Sequence, residues 1–106
     1  MGMAMVRSIQ LTDAGFLKKL RSIAKDSFRV ILTKHAKARM RTRQINLQQV
    51  LECLRKGHIA EPAHMTIQGD WKATVQHQFA GDLVQVAVAI ERQEGGELAV
   101  VVTVMG

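Results

Sequence analysis

His35, Arg39 and Arg43 recur at every fourth position inside the segment TKHAKARMRTRQI, which runs from Thr33 to Ile45. On a helix that spacing brings three side chains into one row along one side. An imidazole can give or take a proton near neutral pH, and a guanidinium fork matches the oxygens of a phosphate. The row therefore suits an anion, most simply a phosphate, held beside a group able to move a proton.

The charge pattern of this segment works against its own helix. Cations near a helix N-terminus are unfavourable, and like-charged pairs four apart, Lys37 with Arg41 and Arg39 with Arg43, each cost a few tenths of a kcal/mol. Between Asp26 and Glu52 the sequence holds no carboxylate to offset them. A bound phosphate would relieve the repulsion and could also use the free N–H groups of the helix start. The alternative is an ordinary solvated basic face, and the row alone separates binding a polyanion from acting on one poorly.

The elements that must hold this row follow from periodicity and caps. Thr12 or Asp13 can cap a first helix whose apolar face is Phe16, Leu17, Leu20, Ile23 and Ala24. Phe28 to Leu32 reads as a brief extended segment, and Thr33 as the N-cap of a second helix through about Arg43. Ala36 and Met40 would fix that helix to the domain. Asn46 with Gln49 forms a capping-box pattern opening a third helix, which buries Leu47, Val50, Leu51 and Leu54 and stops at Gly57.

After Gly57 the period changes from helical to alternating. Residues 59–67 read as an irregular or edge strand because of Pro62, and Trp71 to Phe79 as a half-buried strand. Leu83 to Ile90 and Leu98 to Met105 follow as strands, separated by turns at Ala80-Gly81-Asp82 and Gln93 to Gly96. The expected fold is α+β: two to three N-terminal helices packed on one face of a three- to four-stranded antiparallel sheet. The chain of 106 residues suits one domain.

Charge is unevenly shared. Residues 1–60 carry 13 Lys and Arg against Asp13, Asp26 and Glu52, whereas residues 61–106 carry Lys72 and Arg92 against six acids. This asymmetry fits a polyanionic partner, either nucleic acid or an acidic protein. The single Cys53 excludes an internal disulfide and reads as a small buried residue. No apolar run reaches the length of a membrane-spanning helix, and MGMAMVRS lacks a signal-peptide core, so the expectation is a cytoplasmic protein without a membrane partner. Met1, Met3 and Met5 read as a frayed leader or a choice of start sites. The four histidines show no metal-ligand spacing with Asp, Glu or Cys, so neither a metal nor another cofactor is expected.

His35-Ala36, Arg39-Met40, Arg43, Ile45, Gly57 and the terminal Thr103-Val104 together resemble a bacterial family, domain-of-unknown-function family 4258. Its hallmark is a short strand, His-Ala-x-x-Arg-Met-x-x-Arg-Gly-Ile, a helix ending at Gly, and strands finishing near Thr-Val-aromatic. The resemblance covers Val30 to Met105 and leaves residues 1–27 as a helical extension of a core at 28–106. Gln44 stands where the pattern has Gly, which a left-handed turn would penalise. Met105 stands where it has an aromatic ring.

The family's layout is similar to the RelE-like, barnase-like and colicin-like ribonucleases, and its members look like toxins of toxin–antitoxin pairs or toxin tips in larger secreted proteins. That likeness implies a metal-independent endoribonuclease, acting on RNA, free or ribosome-associated, with an antitoxin protein as a further partner. Such chemistry needs a base for the 2′-hydroxyl, an acid for the leaving 5′-oxygen and cations for the phosphorane. His35 is the catalytic candidate, and Arg39, Arg43, Lys72 and Thr103 are the phosphate-binding candidates. His77 is a secondary candidate, although alternation with Trp71, Ala73, Val75 and Phe79 favours a sheet-face role. A non-catalytic nucleic-acid-binding module and a domain docking an acidic protein are the rival readings.

Overall fold

The computed structural model describes residues 11–105, so the methionine-rich start lies outside the described residues. Helix α1 spans Asp13–Ala24, strand β1 Val30–Leu32, helix α2 Lys34–Arg43 and helix α3 Leu47–Lys56. Four longer strands follow: β2 His58–Met65, β3 Trp71–Phe79, β4 Asp82–Gln93 and β5 Gly96–Met105. The five strands form one sheet in the order β1-β5-β4-β3-β2.

The α+β class agrees with the sequence, but the sheet does not match the expected antiparallel one of three or four strands. Strands β2 to β5 make an antiparallel meander, and β1 adds a fifth strand parallel to β5, with Val30, Ile31 and Leu32 opposite Ala99, Val100 and Val101. Two helices and three strands intervene between β1 and β5, as a parallel pair requires a crossover. The expected extended run was also too long at its start. Ser27–Arg29 forms a single 3₁₀ turn capped by Asp26, and only Val30–Leu32 extends.

Alternation assigns the two faces of the sheet. Val75, Val86, Val88, Ile90, Ala99, Val101 and Val104 join Phe16, Leu20, Ile23, Val50 and Leu54 in one apolar cluster. Helix α1 is therefore part of the core, although it precedes the resemblance. Arg21 donates to the Gly57 carbonyl at 2.9 Å and Arg55 to the Ala24 carbonyl at 2.7 Å, tying α1 and α3 to each other's ends. Burying the Leu54 side chain alone is worth about 1.5–3 kcal/mol in transfer terms.

Helix α3 is built as expected, with both halves of the capping box between Asn46 and Gln49 and with Val50, Leu51, Cys53 and Leu54 buried. Leu47 is an exception: it is the first residue of the helix and is 47 % exposed. Gly57 ends the helix in an extended conformation, φ −72° and ψ 173°, so left-handed freedom is not its reason. A Cβ there would lie 2.4 Å from the Cys53 carbonyl oxygen and 2.8 Å from that of Gln76. Glycine is needed for the close passage of helix end and strand.

Candidate nucleic-acid interface

Helix α2 is fastened at both ends and packed thinly between them. The Thr33 hydroxyl accepts from the Ala36 N–H at 3.0 Å and lies 3.1 and 3.0 Å from the Val101 and Val102 carbonyls, which anchors the helix start to β5. Ala36 is the only fully buried residue of the helix, with Met40 partly buried, and α2 packs chiefly against β5. Its far end turns at Gln44 with φ 56° and ψ 44°, the left-handed region that the glycine of the motif would occupy without strain. The turn lets the Ile45 N–H reach the Met40 carbonyl at 2.8 Å and sends Ile45 into the core.

Row geometry follows from this anchoring. With Ala36 and Met40 inward, His35, Arg39 and Arg43 lie one position back on the helix, His35 and Arg43 exposed and Arg39 half-buried. Among the described residues the ion pairs are Lys19–Glu97 and Lys56–Glu52, with Glu52 also 3.9 Å from His77; none involves α2. Among the described residues, then, no carboxylate comes within ion-pairing distance of the helix. Arg39 Nε is buried and, among the described residues, has no hydrogen-bond partner. A charged donor in that position carries a desolvation cost that an anionic acceptor would remove. Arg43 borders a cleft of about 380 Å³ with Gln44, Ile45, Gln49, Asp82, Leu83 and Val84, where Asp82 makes no ion pair with it.

The other site candidates fall on two faces of the sheet. Thr103 lies on β5 opposite Ala87, on the face that no helix covers among the described residues, two residues beyond the carbonyl that holds Thr33. Lys72 is on that same face of β3, opposite Ala89, two strands from β5. His77 is opposite Val84 on the helix-covered face, with its Nε2 3.9 Å from Glu52 Oε2 of α3. The sheet therefore separates His77 from Thr103 and Lys72. Among the described residues no three His, Cys, Asp or Glu side chains gather in a metal-ligating arrangement.

One polar group escaped the sequence reading. Glu61 lies opposite Thr74 on the uncovered face and accepts its hydroxyl hydrogen at 2.7 Å, while Gln85 Nε2 donates to Gln76 Oε1 at 3.0 Å beside them. Thr74 is the one buried polar side chain among the described residues, 5 % exposed. The available signal was Pro62, which marked β2 as irregular without saying which face Glu61 would take.

Comparison with known proteins adds one match. The profile of the family described as "Domain of unknown function (DUF4258)" covers residues 32–106. No curated protein matches, and no solved structure matches.

Proposed function

From the premise that this chain belongs to the DUF4258 family, we propose that it binds RNA phosphate through α2 and cleaves RNA as a metal-independent endoribonuclease. The observation carrying this reading is Arg39, half-buried in a row with His35 and Arg43, its Nε without an acceptor and its helix without an ion pair among the described residues. A phosphate seated there receives guanidinium donors, and the first-turn N–H groups of α2 lie at the end of the same helix. Exposed His35 stands on that first turn.

The chemistry written for this row is transesterification. A base removes the 2′-hydroxyl proton, the 2′-oxygen attacks phosphorus, and the bond to the 5′-oxygen breaks as that oxygen takes a proton. The products are a 2′,3′-cyclic phosphate and a 5′-hydroxyl, with no net oxidation. His35 fills the role of base or acid, and Arg39 and Arg43 stabilise the added charge of the phosphorane. Thr103 and Lys72, on the uncovered face, would contact flanking phosphates. The RelE-like layout and a toxin role paired with an antitoxin belong to this same reading and rest on family likeness.

Cleavage of a mixed RNA pool in the presence of a metal chelator, from about pH 5 to about pH 8, tests it. His35→Ala should abolish cleavage while keeping RNA affinity, whereas Arg39→Ala should lose affinity and flatten its salt dependence. Wild-type protein that binds RNA yet never cuts it would leave a non-catalytic binding module.

A further inference from the structure

We propose that the uncovered face of the sheet is a nucleobase-binding site, built around Glu61, Thr74, Gln76 and Gln85, that selects bases bearing an exocyclic amine; it rests on the RNA reading above. Two irregularities at the same level of the sheet carry the argument. In β2, Ile59 is opposite Val75 and Glu61 is opposite Thr74, so Ala60 is an extra residue. In β5, Val101 is opposite Val88 and Thr103 is opposite Ala87, so Val102 is extra. Because side chains alternate faces, pairing the same residues in regular register, with no bulge, would turn the polar residue after each one inward. Glu61 would then sit opposite Ala73, and Thr103 opposite Val86, both among the apolar cluster.

The two bulges thus place Glu61 and Thr103 at opposite ends of one row across the open face: Thr103, Ala87, Thr74, Glu61. Three strand spacings of roughly 4.8 Å give the row a span of about 14 Å, room for one or two nucleotides. Bulges of this kind are enriched beside functional sites, where they re-aim a side chain. Beside the row, a cleft of about 420 Å³ is lined by Ile59, Glu61, Thr74, Gln76, Gln85 and Met105.

Unused hydrogen-bonding capacity defines what the cleft would take. Glu61 Oε1 is occupied by Thr74, which leaves Oε2 as an acceptor. The Gln85 to Gln76 bond leaves Gln76 Nε2 as a donor and Gln85 Oε1 as an acceptor. Two acceptors, one anionic, beside one amide donor complement the amine and adjacent ring acceptor of adenine, cytosine or guanine. Uracil has no exocyclic amine to give. Met105, on the same face of β5 opposite Gln85, offers a thioether surface for the ring.

The strand that bears Thr103 and Met105 is the one against which α2 packs, so a phosphate on the α2 row and a base in the cleft would flank β5. Fluorescence anisotropy with short, labelled homopolymers of A, C, G and U tests the proposal on the full chain at low salt. The expected result is a preference of about tenfold or more for at least one amine-bearing homopolymer over poly-U, lost in Glu61→Gln and reduced in Gln76→Ala. Thermal melts of both variants, together with an unchanged affinity for poly-U, would separate lost readout from lost folding. Equal binding of all four homopolymers, with affinity still removed by Arg39→Ala, overturns the cleft and leaves the phosphate row standing. Absence of any RNA binding overturns both.

Discussion

Helices α2 and α3 are both ten residues long, both begin at a side-chain N-cap, and are built for opposite ends. Helix α3 commits Val50, Leu51, Cys53 and Leu54 to the core and pairs Glu52 with Lys56. Helix α2 buries Ala36 alone, carries five Lys or Arg and one His, and has no ion pair among the described residues. It is helical because Thr33 fastens its start to β5 and Ile45 fastens its end to the core, with Gln44 strained between. One helix holds the fold together, and the other is held by it to display charge.

Substitutions should separate these two roles. The largest effect belongs to α3: Leu54→Ala leaves a cavity under Val50 and the sheet and should cost about 2–5 kcal/mol in urea unfolding, with RNA affinity of the folded fraction unchanged. An equally damaging loss from an α2 surface position would break the contrast. At Arg39 the sign should reverse. Arg39→Met keeps the aliphatic packing, removes a buried donor without a partner and eases repulsion from Arg43. It should leave stability unchanged or raise it by up to about 1 kcal/mol while RNA affinity falls about tenfold or more.

The effect with the narrowest range of conditions lies at alkaline pH, in Cys53 of α3. Burial pushes the Cys53 thiol from 9.0 up to about 12, and its Sγ lies 3.6 Å from the Val75 and Val84 carbonyl oxygens. Between these two values the unfolded chain ionises this thiol and the folded one does not. The unfolded state then holds fewer protons, so stability falls as pH rises above about 9 and is unaffected by this group below it. Cys53→Ala should remove that part of the pH dependence, seen as a shallower decline of melting temperature with pH. The native thiol should also stay unreactive toward a thiol reagent at neutral pH.

Much of this division was readable along the chain. The N-caps Thr12, Thr33 and Asn46, the limits of α2, the strand from Trp71 to Phe79 and the row of His35, Arg39 and Arg43 all depend on neighbours within one or two turns of chain. Leu47 misled because the helical period marks it apolar, while its exposure is decided by tertiary packing. Gln44 is similar: the sequence located the turn, and only the backbone around it required the left-handed conformation. The extended segment at β1 was read, but its parallel pairing with β5 was not, because three residues carry little signal for a partner 69 positions away.

Residue types and spacing alone therefore determined an α+β chain with a capped, cation-rich helix and a single buried cysteine, since caps, periodicity and charge act over a few residues. Only the tertiary structure decided that no described carboxylate pairs with that helix, that His77 and Thr103 lie on opposite faces, and that Glu61 joins Thr103 on the open one. Those outcomes turn on register. One extra residue in a strand exchanges its two faces, and the pairing that fixes that residue is made with segments distant along the chain.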